Sequence, residues 1–195
     1  MKILIDNGHG ANTSGKCSPD KTFFEWKFSR DIAEKLVEAL RERGYDAERI
    51  VTEDYDVSLS TRCKRVNDIC RKFKNVILVS IHSNAAGHQD AWYNARGFSA
   101  HVAMNASDNS KRLAACLWDK AIEVGLHGNR SVPRCKYIVQ NLAMCRDTLC
   151  PAVLTENLFY DNKEDLAILK SEEGKRKIVK LHVEGIINYL NSLKK

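Results

Sequence analysis

Four side chains could do chemistry together if the fold brings them to one place: His9, Glu25, His82 and Glu156. Two imidazoles and one carboxylate are a ligand set that leaves a zinc ion an open fourth position, which distinguishes a catalytic centre from a closed structural one. With His9, Glu25 and His82 as ligands, Glu156 remains as general base for a water made acidic by the ion, which would then attack a polarised carbonyl. Spacing alone does not single out so dispersed a set, unlike a compact His-Glu-x-x-His helix. The elements that carry the four residues must position them.

The segment KILIDNGHG, residues 2–10, holds a short apolar run, Ile3, Leu4 and Ile5, that suits a strand covered on both faces. Asn7-Gly8 is a turn dipeptide tolerant of positive φ, so a sharp bend is expected there, with His9 just past the strand's carboxyl end. Ligands of open α/β sheets sit at that end. Over residues 23–43, Phe28, Ile32, Leu36, Ala39 and Leu40 recur at helical spacing; Thr22 opens the element and Gly44 ends it. Glu25 lies on the inward stripe in the first turn, and a crossover helix begins where the preceding strand ends, beside His9. Residues 75–81 are the most β-like run, a central buried strand that releases His82, and residues 152–155 form a last strand that delivers Glu156 to the same edge.

The other elements complete an alternating pattern. Strands are expected over 45–52, 98–104 and 137–139, which with the three above makes six. Ser60 can cap a helix over about 61–73, with Val66, Ile69 and Cys70 inward and basic residues outward. Ser107 caps a helix reaching Val124 before Gly125, residues 140–150 read as a mobile segment, and helices over 164–169 and 172–193 close the chain.

Each chemical assignment has a plainer competitor. A lone loop histidine usually just bonds nearby backbone. Glu25 falls three residues after Thr22, the capping-box spacing, so its carboxylate could serve only the free helix amides. Glu156 could pair with Arg62 or Arg130. His88 and His127, in loops, are reserve ligands, whereas His101 and His182 read as surface or satisfied core residues.

Composition narrows the class. At 195 residues, 44% hydrophobic and 29% charged, the chain has the length and make-up of one globular domain. Its 7 cysteines are scattered, odd in number and without a Cys-x-x-Cys pair, which suits a reducing compartment; only Cys145 and Cys150 lie close enough in sequence to suggest pairing on oxidation. Asp6 interrupts the first apolar run, so no signal peptide is visible, and no segment approaches the ~20 apolar residues of a membrane span. The net charge of +6 suits an anionic partner or simply a soluble surface, and basic residues are interleaved with acidic ones along the chain. No basic stripe interleaved with aromatics appears, which disfavours nucleic acid.

ILIDNGHG, the glutamate of FFEWKFSRDIAEKL, SLSTR ahead of ILVSIHSNA, and PAVLTENLFYDNKED follow one another from about residue 3 to 165. Together they resemble the zinc-dependent N-acetylmuramoyl-L-alanine amidases that cleave bacterial peptidoglycan. The resemblance implies a three-layer α/β/α single domain with a mostly parallel twisted sheet of about six strands, one zinc ion on His9, Glu25 and His82, and Glu156 as the catalytic carboxylate. The family often carries proline where Asn7 stands and glycine where Leu158 stands, departures that bear on loop shape and substrate fit rather than on the metal.

The reaction expected on that basis is hydrolysis of the amide joining N-acetylmuramic acid to L-alanine, with Asn84 or Arg130 as possible oxyanion or substrate contacts. The alternatives are a zinc peptidase acting on stem peptides and a non-catalytic peptidoglycan-binding or regulatory domain. Residues 1–195 are expected to be one catalytic domain without a separate wall-binding domain. The partner is peptidoglycan, with no nucleic acid and no membrane insertion, for a monomer. Endolysin-like, it would stay cytoplasmic until released to the wall, or be secreted if a leader was trimmed.

Overall fold

The computed structural model describes residues 1–88 and 90–194. Along them run β1 (Lys2–Asn7), α1 (Glu25–Glu42), β2 (Asp46–Arg49), α2 (Leu59–Lys72), β3 (Val76–Asn84) and β4 (Ser99–Val102). Then follow α3 (Asp108–Glu123), β5 (Ile138–Val139), α4 (Ala143–Arg146), β6 (Ala152–Phe159), α5 (Lys163–Lys170) and α6 (Glu172–Ser192). The strands form one sheet in the order β2-β1-β3-β6-β4-β5. All neighbouring pairs are parallel except β4 with β6.

The two-residue period of a strand sorts the core into two layers. Ile3, Ile5, Ile77, Val79, Ile81 and Val153 face α1, α3, α5 and α6, where Ile32, Leu36, Leu113, Leu117, Ile178 and Leu181 meet them. Leu4, Leu78, Ala152 and Leu154 face the other way, onto Val66 of α2 and Met144 of α4. A sheet buried on both sides needs apolar residues at consecutive positions, which is why the central strands read as unbroken runs. The three-layer α/β/α expectation of six strands therefore holds.

Several local expectations change. The helix begins at Glu25, not Thr22, with Phe24 as an N-cap that offers no side-chain hydrogen bond. In α2 the cap is Ser58, whose side chain accepts from the Thr61 amide, rather than Ser60. Arg62 of that helix turns inward, against the outward expectation for its basic residues. The segment read as mobile contains α4, with Met144 and Cys145 buried. All seven cysteines are free, and Cys145 donates to the His101 carbonyl at 3.8 Å instead of pairing with Cys150.

Candidate metal centre

The strand β1 ends at Asn7, and the residue with positive φ is not in the Asn7-Gly8 pair but is His9 itself, at φ 61°. An L-residue resists that conformation by about 1–2 kcal/mol, so something must hold it. Two arginines do: the His9 carbonyl accepts from Arg30 Nη1 at 3.0 Å and from Arg62 Nη2 at 3.2 Å. Arg30 is anchored in turn on the Glu53 carbonyl at 2.7 Å, and Arg62 on Asp6 at 2.8 Å and the Asn7 carbonyl at 2.6 Å. Glycine is required on both sides. A Cβ at Gly8 would lie 2.2 Å from the His82 ring, and one at Gly10 would lie 2.0 Å from the Asp56 amide nitrogen.

Glu25 enters from the first residue of α1 and is buried. Its carboxylate spans the two imidazoles, Oε2 at 3.3 Å from His9 Nε2 and Oε1 at 3.0 Å from His82 Nδ1, while Oε1 also accepts from the Ser83 amide at 3.1 Å. The capping-box reading of Glu25 is thereby overturned. The histidine rings stand edge to face, 5.1 Å apart at 86°. His82 lies inside β3 rather than beyond it, directly opposite Glu156 of β6. Just past that pair, Ser83 faces two residues, Asn157 and Leu158, in a β-bulge whose Leu158 has φ 66°. The bulge closes with Asn157 Nδ2 donating to the His82 carbonyl at 2.9 Å and Ser83 Oγ donating to the Asn157 carbonyl at 2.9 Å.

Burial raises the cost of charge on both carboxylates, and their neighbours separate them. For Glu25 burial pushes up, but hydrogen bonds from His82 and His9 more than offset it, and its pKa falls to about 2. For Glu156 burial dominates, with Glu25 adding to the rise and His82 and Lys16 only tempering it, so its pKa is pushed up to about 7. Burial and neighbours thus push the two carboxyl groups' pKa values in opposite directions.

One ligand atom each from His9, Glu25 and His82 lies within 4.8 Å of the other two. Two donors about 2.0–2.2 Å from one zinc ion at tetrahedral angles stand about 3.3–3.6 Å apart, close to the separations found between Glu25 and the imidazoles. Glu25 Oε2 is buried with no polar partner besides His9 Nε2, and Glu156 Oε2 is buried without a hydrogen-bond partner. The side chain of Glu25 is 2% exposed, whereas those of His9 and His82 are 19% and 16% exposed, so the set is sealed behind and open in front. A cleft of about 220 Å³ lined by both histidines adjoins it. The residues fit a divalent cation of the zinc type.

Of the reserve ligands, His88 and His127 are exposed and outside this group. His101 and His182 are core residues, bonded to Ser99 and Thr155 at 2.9 Å each. Arg62 does not pair with Glu156; it is committed to Asp6 and Asp56. Asn84 sits at the end of β3 with Oδ1 accepting from the Ala85 amide at 2.8 Å, which leaves its amide hydrogens available. Arg130 is exposed in the loop that bridges Gly128 to Phe98, next to Ser99, the other neighbour of Glu156; it makes no hydrogen bond or ion pair with the four residues among the described residues. Sequence reasoning missed the grip of Arg30 and Arg62 on His9. The available signal was SLSTR, a motif whose arginine is one turn into an amphipathic helix and need not face water.

The profile of the family described as N-acetylmuramoyl-L-alanine amidase matches residues 3–188. The chain is 28% identical over 200 residues to the endolysin of Bacillus phage SPP1, covering 99% of this chain and 67% of that protein. It is 27% identical over 191 residues to the probable cell wall amidase LytH of Staphylococcus aureus, covering 97% of this chain and 58% of LytH, so it spans little more than half of that relative. Among solved structures it matches the catalytic domain of CwlV, an N-acetylmuramoyl-L-alanine amidase from Bacillus (Paenibacillus) polymyxa, with TM-score 0.81 and 26% identity over 98% of this chain and 99% of the other. An N-acetylmuramoyl-L-alanine amidase from Clostridium difficile 630 matches at TM-score 0.81 and 27% identity, covering 98% and 97% of the two chains.

Proposed function

Because the chain belongs to the N-acetylmuramoyl-L-alanine amidase family, we propose that it hydrolyses the amide between the lactyl group of N-acetylmuramic acid and the first L-alanine of the peptidoglycan stem, using one zinc ion. The observation that carries this reading is the convergence of three ligand atoms within 4.8 Å beside the half-buried Glu156, whose Oε2 is sealed from solvent without a hydrogen-bond partner. His9, Glu25 and His82 hold the ion, which when bound supplies Lewis acidity to a carbonyl oxygen and to a water.

The chain's own groups do the remainder. Glu156, adjacent to His82 across the sheet, accepts the water's proton and delivers it to the departing alanine nitrogen, a role favoured by the desolvation that makes its charged form costly and its carboxylate basic. Glu25 stays ionised throughout and balances the positive charge that gathers between the imidazoles. Asn84 Nδ2, at the end of β3, serves as a substrate contact; Arg130 serves from the loop joined to the start of β4. Among the described residues no helix is long and apolar enough to cross a membrane. The proposed place of action is the bacterial wall.

Glu156→Gln tests the assignment. It keeps the shape and leaves the three ligands in place, so about one equivalent of zinc should remain bound while the rate on purified peptidoglycan falls by roughly 10²–10⁴-fold. Mass spectrometry of the wild-type digest should find intact stem peptides bearing a free alanine amine. Undiminished turnover by the variant refutes the role of Glu156, and truncated stem peptides would indicate a peptidase instead.

A further inference from the structure

In sequence the charges are interleaved, but helix geometry segregates them. Along α1, Lys27, Asp31, Lys35 and Ala39 repeat every fourth residue and lead to the C-cap Arg43, while Glu34, Glu38 and Glu42 repeat in the same way on a neighbouring face. The glutamates line an acidic groove with Glu48. The lysine face lines something different: a groove of about 410 Å³ between α1 and α6, flanked by Lys35, Arg43, Lys175, Arg176 and Lys180.

That groove does not end there. Lys35, Lys175 and Glu172 are shared with a second groove of about 600 Å³, which adds Lys27 and Lys170. Lys27 and Phe24 are shared with a third of about 350 Å³, bounded by Trp26 and by Lys16, whose carbonyl accepts from the Glu25 amide at 2.9 Å. The three make one track from the loop that precedes Glu25 to the far end of α1, about 24 Å from Lys27 to Arg43 at ~1.5 Å per residue.

Eight basic side chains line the track against three acidic ones, Asp31, Glu172 and Glu184, an excess that nearly matches the net +6 of the whole chain. Asp31 is occupied by Lys35 at 2.8 Å and Lys175 at 2.9 Å. Lys16, Lys27, Arg43, Lys170 and Arg176 make no ion pair among the described residues; Lys170 meets only the Thr22 hydroxyl, at 2.9 Å.

We propose that this track binds a phosphodiester-linked polyol chain, the kind of polyanion that is attached to a bacterial wall, and so holds the candidate active site against its substrate. The choice rests on the reading of that site as acting at the wall. Repeating phosphates complement cations strung along a groove. A single-stranded nucleic acid would want aromatic platforms along its whole path, but the aromatic rings open to it, Phe24 and Trp26, stand only at the Lys16 end, Phe23 and Phe28 being buried, and the rest of the track is floored by Ala39, Val179 and Val183. A chain without π-faces fits that floor.

The test uses the Glu156→Gln chain, so that the wall is not digested, and two targets: soluble poly(glycerol phosphate), and insoluble walls before and after removal of their polyol phosphates. Binding to the soluble polymer should weaken about a hundredfold between about 50 and about 200 mM salt, as expected for roughly five cations on a single strand. Joint Arg43→Glu and Arg176→Glu substitution should weaken it at least ~10-fold, and Lys64→Glu, on α2 across the sheet, should leave it within about twofold. If the double reversal does not fold, Arg43→Gln with Arg176→Gln replaces it and should weaken binding at least ~3-fold. Without Glu156→Gln, the track variant should keep its rate on a soluble muramoyl peptide.

Several results overturn the proposal: no binding to the polymer, equal sedimentation on stripped walls, equal loss from Lys64→Glu, or tighter binding to single-stranded DNA. Because the readout is binding rather than turnover, a failed amidase assignment would leave these measurements standing.

Discussion

Replacing Arg62 by methionine should destabilise the protein far more than removing any surface charge. The guanidinium is 2% exposed and bonds Asp6 at 2.8 Å, Asp56 at 3.0 Å, and the carbonyls of Asn7 at 2.6 Å, Val57 at 2.7 Å and His9 at 3.2 Å. Asp6 is equally buried and would retain only the Ser80 hydroxyl. Removing one member of a buried pair leaves an uncompensated charge and costs about 3–5 kcal/mol, about a fifth or more of the stability of an ordinary domain. For a chain of this length that lowers Tm by on the order of 10 °C. Lys64→Ala provides the contrast: its pair with Asp68 is 75% and 42% exposed, and the loss should stay under about 0.5 kcal/mol. Denaturant titration of Arg62→Met, Asp6→Asn and the double variant decides the matter. The double variant should be more stable than the sum of the single losses predicts by about 1–3 kcal/mol, because the stranded carboxylate is gone. Zinc affinity of Arg62→Met should also fall, since Arg30 alone then holds the His9 carbonyl. A loss below about 1 kcal/mol, or strict additivity, would refute the reasoning.

Gly8→Ala pushes a methyl group into the His82 ring and should lower zinc affinity by roughly 10–100-fold in a competition titration, with the fold retained by circular dichroism. Leu158→Gly relieves about 1–2 kcal/mol of left-handed strain but gives up a fully buried side chain worth about 3–5 kcal/mol, so it should be less stable by about 2–3 kcal/mol; a gain in stability would show that strain dominates. His182 is buried neutral, its pKa held down to about 4 from 6.5, and His101 likewise. The unfolded chain therefore takes up protons below 6.5 that the folded chain refuses until about 4, and stability should fall as pH drops through that window, by about 3 kcal/mol for His182, and level off below it. His182→Gln should flatten part of that slope in a pH series of denaturant midpoints.

A sheet buried on both faces writes consecutive apolar residues into its central strands β1, β3 and β6, which made these legible, whereas β2, with the sequence DAER, and β4, SAHV, carry only a weak alternation. Helix starts were harder. Thr22 has the right side chain for a cap, but residues 16–24 close a separate loop in which the Glu25 amide donates to the Lys16 carbonyl at 2.9 Å and Phe24 caps nothing. Glu25 is thus pulled to the head of the helix by tertiary bonds that no local pattern records. That His9, Glu25, His82 and Glu156 meet was legible from their places at the carboxyl edge of the sheet, but only the family resemblance singled the set out from its plainer competitors. Their support was not legible: Arg62 reads as one more basic residue of a solvated face until the strand ending at Asn7 and the acid at Asp6 are placed against it. The same limit explains why interleaved charges hid two segregated faces on α1, since sequence neighbours point in different directions around a helix.

The strand order has a consequence for how this molecule can fail. His9 follows β1, His82 belongs to β3 and Glu156 to β6, three consecutive members at the middle of the sheet, with Glu25 bridging from above. Fraying of β2 or β5 at the margins would leave the donor atoms where they are. Peeling β6 away, or ending the polypeptide before residue 152, would dismantle them at once. On the proposed reading, cation capture would gauge whether the innermost ribbons have zipped, and a proteolytic nick should be silent or fatal according to which side of that trio it falls.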